Sequence, residues 1–440
     1  MTTPTSTGTP FSPVWLFVGV SALAISGIFS IILAVAWHPS FKEIEIFATL
    51  FHRSLVAHVN LSITIWFLCC LFACWSYKRS AGLPFFDKTA LALILGAIAT
   101  MTIASFDPAA VPLMSNYIPV LTSYLFSISL GLIVAAVIIK LIDYMACARY
   151  AKHDFFTLGN HLSIIMVWLA LAAFTVSAIT IDPYISGETF YEIVFWGGGH
   201  VLQFVWVHIV LLAWAASLVQ LDTNFVLDAK YKFTLWINIA ATLSAPVPYF
   251  LHDVSSVEFR HLFTYLMSWV AGLAPVLFII FYLYDYVKKR AILPRYNNAI
   301  GASLWWSLIL FSLGGFFGVA IDGINVKIPA HYHGSIVGVT VALMGFTYLI
   351  LQQHGYGLIA TSRMARWQPA ILGIGQIMHV TGLFWSGGYG VQRKSPHASG
   401  EAIEQAALAR HLLSTGGLIA IIGGLLFVIV ILRATRRKRT

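Results

Sequence analysis

The chain has 440 residues, 59% of them hydrophobic and only 10% charged, and its 26 Lys and Arg against 17 Asp and Glu give a formal net charge of +9. A soluble globular domain carries roughly a quarter charged residues. The composition therefore excludes a multidomain soluble enzyme, a disordered chain, a secreted disulfide scaffold and, despite the basic balance, a nucleic-acid binder. Long unbroken apolar runs in place of period-two alternation exclude an outer-membrane barrel.

Taken in chain order, residues 1–12 are polar and uncharged and lack the basic start of a cleaved signal peptide. Twelve apolar runs follow, at about 13–37, 51–77, 88–106, 117–143, 160–182, 188–218, 231–252, 259–286, 299–321, 328–352, 369–387 and 408–432. Each is long enough to cross hydrocarbon as a helix of about 20 residues. The expected fold is an all-α polytopic membrane protein of about twelve transmembrane helices, with residues 1–440 forming a single catalytic domain. The tail 433–440 is basic. With both termini placed inside, 19 Lys and Arg fall on the inner side and 7 on the outer. That bias is the usual orientation signal and makes the tail a cytoplasmic one near anionic lipid. The expected location is a bacterial inner membrane. Cys69, Cys70, Cys74 and Cys147 lie in spans or at the inner face without metal-site spacing.

Histidine is the anomaly, with 15 in a chain poor in other ionisable groups. Ionisable groups at membrane depth are costly and point to function. His331 and His333 flank Tyr332, and positions i and i+2 on a helix point about 200° apart. They cannot share one metal. They serve either two sites on opposite sides of one helix or, as plain interfacial histidines, none. Neutral imidazole is an axial ligand of haem iron. His58, about two turns into the second span, enters from the same outer face as His333. Two imidazoles from two helices make a six-coordinate, electron-transferring haem, leaving His331 for a second haem with an open face. Trp196-Gly197-Gly198-Gly199-His200 lies on the sixth span, and Pro246 and Pro248 break the seventh just before His252-Asp253. His200, His252 and Asp253 together are the two-histidine, one-carboxylate set that suits Fe(II), although Asp253 reads equally as a solvated loop residue. Gln203, at 300° from His200 on a helix, faces the same cavity or packs against a neighbouring helix.

These residues resemble the catalytic subunit (subunit I) of the haem–copper oxidase superfamily, over nearly the whole chain. Ala330-His331-Tyr332-His333-Gly334 is similar to the family's tenth-helix motif, Ala57-His58 to its second-helix motif, and Trp196 to His200 to its sixth-helix motif. The resemblance implies two haems, one held by His58 and His333 and the other by His331, and one non-haem metal at His200. Gly390-Val391-Gln392-Arg393-Lys394 resembles the basic stretch that binds haem propionates, which gives Arg393 and Lys394 that role. Two departures stand out. Where the oxidases carry a cross-linked Tyr on the sixth helix there is Phe204, and their adjacent histidine pair becomes His252-Asp253. Cleaving dioxygen without releasing peroxide draws an electron from that Tyr, whereas joining two NO into N2O needs only two electrons and two protons. A carboxylate ligand favours iron over copper. The expectation is therefore a nitric oxide reductase with iron in the non-haem site. A dioxygen reductase and a non-catalytic bis-histidine electron carrier remain as alternatives. The chain has neither a cysteine cluster for a binuclear copper centre nor a haem-attachment motif, so electrons are expected from another polypeptide or from quinol, with an outer-face donor subunit, cupredoxin-like or a c-type cytochrome, as the favoured route. The substrate is a small gas, and the haems lie towards the outer side. The inner halves of spans six to ten show no carboxylate or amine line, so protons are expected from the outer face.

Overall fold

The computed structural model describes residues 11–37, 45–76, 84–147, 154–289, 298–357, 362–391 and 406–436. Helix follows helix almost without interruption, because in hydrocarbon each backbone N–H and C=O must be satisfied within its own segment. The order is α1 (Phe11–Trp37), α2 (Glu45–Val59), a π-helical turn Asn60–Ile65, α3 (Trp66–Ser76), α4 (Pro84–Ala104), and a two-stranded antiparallel hairpin of β1 (Pro112–Leu113) and β2 (Val120–Leu121). Then come α5 (Tyr124–Cys147), α6 (Phe155–Thr180), α7 (Gly187–Leu221), α8 (Ala229–Leu243), the short α9 (Val247–Leu251) and α10 (Val257–Tyr265). A second π-helical turn, Leu266–Ala271, leads into α11 (Leu273–Lys289). The last four are α12 (Ala299–Val319), α13 (Lys327–Gln353), α14 (Arg363–Gly388) and α15 (Ala407–Thr435).

Among the described residues, eleven helical stretches are long and apolar enough to cross a membrane. The all-α polytopic architecture is thus as expected. The eleventh expected span, 369–387, is a 26-residue helix, α14, but is not one of the candidate spans. Its polar residues account for the difference. Buried Gln368 donates to the Gly423 carbonyl at 3.1 Å and accepts from the Tyr348 hydroxyl at 3.0 Å. The expected span 117–143 starts later than its apolar run suggests, at Tyr124, because Pro112–Leu121 folds back as the hairpin.

The chain forms two compact units, one of Met1–Trp15 and Phe67–Leu293, the other of Leu16–Trp66 and Pro294–Thr440. In the first, α4 packs on α5, and α6 packs on α7 and α8. In the second, α12 packs on α13 and α14 on α15.

Close approach of α12 and α13 requires glycine. A Cβ at Gly334 would lie 2.6 Å from the Gly314 Cα, and one at Gly314 would lie 2.2 Å from the Ser335 nitrogen. Small residues at such seams let backbones meet where lipid offers no competing hydrophobic force. Gly334→Val should lower the unfolding temperature in detergent, by an overpacking cost of about 1–3 kcal/mol. Gly315→Ala, facing open space, should not. A melting curve of each variant decides it, and equal behaviour would contradict the seam.

Candidate functional site

The second unit holds the three histidines expected at haem iron. His58 sits one residue before the end of α2, and the π-helical turn that follows widens the backbone there. The His58 carbonyl accepts the Ser62 hydroxyl at 2.6 Å and the Ser26 hydroxyl at 3.0 Å. The His58 Nδ1 lies 2.8 Å from the Ser26 hydroxyl and 3.2 Å from the Ser26 carbonyl. A carbonyl only accepts, so Nδ1 carries the proton and Nε2 keeps its lone pair. His331 is held alike, with Nδ1 donating to the Gly314 carbonyl at 2.7 Å. Iron-ligating imidazoles are oriented by such bonds on the far nitrogen, so His58 and His331 fit haem iron.

His331 turns towards α12, where a Cβ on Gly318 would come within 2.5 Å of its ring. His333 turns towards α14, its ring centroid 5.3 Å from that of His379 at 74°. The two histidines thus face opposite sides of α13, as their spacing requires. His333 also lies within electrostatic range of both His379 and His58. His379 is an addition that its sequence context did not single out. Its Nδ1 donates to the Leu413 carbonyl at 3.0 Å, the same far-nitrogen bond. The stretch after α14 is described as far as Val391, whose carbonyl accepts the Val326 N–H at 3.0 Å. Arg393 and Lys394 lie outside the described residues.

The first unit holds His200, buried on α7. Its Nδ1 donates to the Trp196 carbonyl at 2.8 Å, and its Nε2 accepts from the Tyr117 hydroxyl at 2.9 Å. Tyr117 belongs to the hairpin connection. It lies over Gly199, where a Cβ would meet its ring at 2.3 Å, and this is the close approach that the glycine permits. The Asn116 N–H donates to Glu192 at 2.8 Å, and the Asn116 amide donates to the same carboxylate, so the loop is clamped to α7. Burial pushes the Tyr117 hydroxyl far above its ordinary range, and Glu192 adds to that. It therefore remains a donor at neutral pH. Nothing in the apolar pattern marked Tyr117, since the expected fourth-span helix would have placed it on a helix end.

His252 is half-buried at the extended residue closing α9, just after Pro248. The exposed Asp253 carboxylate accepts the Ser255 N–H at 2.8 Å and the Ser255 hydroxyl. Gln203 is half-buried on α7. Among the described residues no group of three or more His, Cys, Asp or Glu could hold a metal. His200, His252 and Asp253 are therefore not brought together as a ligand set, and a three-donor non-haem metal does not fit this arrangement.

No family model matches the chain. An uncharacterized protein of Rickettsia prowazekii is 30% identical to it over 482 aligned positions, covering 94% of each. The chain belongs to that protein's family. Another similar protein, an uncharacterized one of Aquifex aeolicus, is 23% identical over 352 positions, covering 78% of this chain and 85% of that one. Among solved structures, a haem–copper terminal oxidase dimer seen by cryo-electron microscopy matches with a TM-score of 0.67 at 12% identity, over 97% of this chain and 84% of that chain. The chain therefore has the fold of that haem–copper terminal oxidase.

Two outcomes follow from these contacts. Tyr117→Phe leaves the His200 Nε2 without its donor and should cost about 1 kcal/mol of stability, read as a lower melting temperature in detergent. An unchanged melting temperature would mean that the bond does not form. At Asp253, the Ser255 hydroxyl and then the Ser255 N–H hold the carboxyl below its usual range. Stability from that shift exists above the ordinary Asp value of about 3.9 and is lost as pH falls through the lowered folded-state value. Ser255→Ala should therefore cost less than about 1 kcal/mol at pH 7, the group being almost fully exposed, and progressively less on acidification. An equal loss at neutral and strongly acidic pH would contradict the assignment.

Proposed function

We propose that the chain is the haem-bearing catalytic subunit of a respiratory terminal reductase, and that its reaction is the reduction of nitric oxide to nitrous oxide. The observation that carries the reading is the set of imidazoles in the second unit. His58 and His331 each have Nδ1 tied to a backbone carbonyl or a serine, which leaves the lone pair on Nε2, with His333 on the opposite side of α13 and near His58. His58 and His333 are the pair for a low-spin haem, and His331 for a high-spin one. When bound, the haems supply one-electron storage and an open iron position for a gas.

The residues of the chain do the rest. Ser26 and Gly314 hold the imidazoles in one tautomer, so each presents a lone pair without needing to lose a proton. Joining two NO into N2O and water consumes two electrons and two protons. Phe204, wholly buried on α7, cannot supply the extra electron that dioxygen cleavage draws from a tyrosine. Electrons would come from an outer-face donor subunit, cupredoxin-like or a c-type cytochrome, and the haems would lie towards the outer side of a bacterial inner membrane. Arg393 and Lys394 are the residues proposed for the haem propionates.

A second reading, dioxygen reduction, is favoured by one observation. The Tyr117 phenol on the His200 Nε2 is an oxidisable group at the place where Phe204 provides none.

Purified protein tests both readings. The expected spectrum in pyridine contains two haems per chain, and His58→Ala should abolish the low-spin signal while keeping the haem on His331. A full two-haem spectrum in that variant would overturn the ligand assignment. NO consumption that survives Tyr117→Phe supports the first reading. Oxygen consumption lost in Tyr117→Phe, with copper in the metal analysis, supports the second.

A further inference from the structure

His333 is held differently from the other two histidines expected at haem iron. His58 and His331 each donate Nδ1 to an oxygen on a neighbouring helix, on Ser26 for the first and Gly314 for the second. The His333 ring makes no such bond among the described residues, although its carbonyl accepts from Gln376 at 3.1 Å. Two rings lie against it instead. Tyr332 is beside it at 5.0 Å and 35°, and His379 of α14 meets it edge-to-face at 5.3 Å and 74°.

His379 is fixed on its other side. Its Nδ1 donates to the Leu413 carbonyl of α15 at 3.0 Å. Glycines bring α15 close around it. A Cβ at Gly416 would lie 2.4 Å from the His379 backbone nitrogen, and one at Gly417 would lie 3.2 Å from its Nδ1. On α14 itself, a Cβ at Gly375 would lie 2.4 Å from the Ala420 nitrogen, and one at Gly382 would lie 2.6 Å from the Ala409 carbonyl. His379 is therefore clamped in the α14–α15 seam and cannot back away from α13. Gln376 is three residues before it, a spacing that puts both on one face of a helix. That face grips residue 333 twice, at the backbone through Gln376 and at the ring through His379.

The tautomer of His379 decides what it offers. A neutral imidazole has one N–H and one lone pair. In His379 the N–H is committed to Leu413 through Nδ1, so the lone pair is on Nε2, on the edge of the ring turned away from that carbonyl. Towards His333 it has no proton to give. It therefore accepts an N–H or packs as a ring, and it never competes for the His333 lone pair. The Gly314 carbonyl has the same one-way character towards His331. A donor in this place, such as a lysine, would hold the His333 lone pair and take it from a metal.

We propose that His379 is the positioning residue of His333, and that its acceptor edge selects the tautomer that leaves the His333 lone pair for iron. The iron rests on the haem reading given above, whereas the tautomer does not. An acceptor on the far N–H makes an imidazole a more basic ligand, and a more basic ligand favours ferric over ferrous iron.

The test uses the full-length protein as purified, with its low-spin haem titrated by potential and followed by absorbance. His379→Phe keeps a ring in the seam and removes the acceptor. The reduced-to-oxidised ratio at a given potential should rise about tenfold, the low end for losing such a partner, which is about 59 mV for one electron. The haem on His331 should not move. His379→Gln returns an acceptor oxygen without the ring and should recover most of the shift. A wild-type potential in His379→Phe would overturn the proposal, because packing alone would then explain the contact. An equal shift in the Phe and Gln variants would overturn it as well. His379→Met replaces the Phe variant where that one fails to fold. If wild type purifies without haem, the haem reading has failed, and nitrogen-15 NMR of histidine-labelled protein decides the positioning. His333, assigned with His333→Gln, should then show one tautomer in wild type and lose that preference by about fivefold in His379→Phe. An unchanged tautomer ratio would overturn the proposal.

Discussion

The bond from an imidazole Nδ1 to an oxygen fixed on the backbone is the interaction on which the rest of this protein depends. His58 makes it to Ser26, His200 to the Trp196 carbonyl, His331 to the Gly314 carbonyl and His379 to the Leu413 carbonyl. In hydrocarbon a charged imidazole is expensive and an unbonded neutral one is poorly oriented. One hydrogen bond solves both problems, because it selects the neutral tautomer and points Nε2 in a set direction. In three of the four, the carbonyl or hydroxyl belongs to a neighbouring helix. His200 instead uses its own helix, four residues back. Helix packing therefore sets the chemistry at His58, His331 and His379.

That dependence explains the small residues along the seams. Gly314 both supplies the carbonyl for His331 and allows α13 to approach at Gly334. A side chain at either glycine would move the acceptor and with it the imidazole. The polar character of α14 has the same origin. Gln368 ties together α13, α14 and α15, and Gln376 donates to the His333 carbonyl at 3.1 Å. A helix of leucines would be more apolar but would not fix the histidine between its neighbours.

The first unit follows a different rule. There the aromatic groups Tyr117, Trp196 and Phe263 close around His200, with ring centroids 4.8, 5.1 and 5.3 Å away. The phenol occupies the nitrogen that the sequence reserved for metal. The carboxylate expected beside it, Asp253, is spent on its own turn through Ser255. A local Asx-type turn competes directly with ligation for a carboxylate, and residue type with spacing cannot reveal which one wins.

What the sequence alone determined is what repeats along one helix. Apolar run length set the order and approximate extent of the long helices, and the i, i+2 spacing of His331 and His333 put them on opposite sides of α13, because 100° per residue admits no other result. Proline at 246 and 248 set the break before His252 for an equally local reason. What only the tertiary structure decided is every pairing between segments far apart in the chain. Tyr117 with His200, His379 with His333, and Lys140 with Asp87 are separated by 83, 46 and 53 positions. Helical periodicity carries no information across such distances. Which residue meets which is settled by how helices pack, and in a bilayer that packing is governed by small-residue seams and the need to partner buried polar groups.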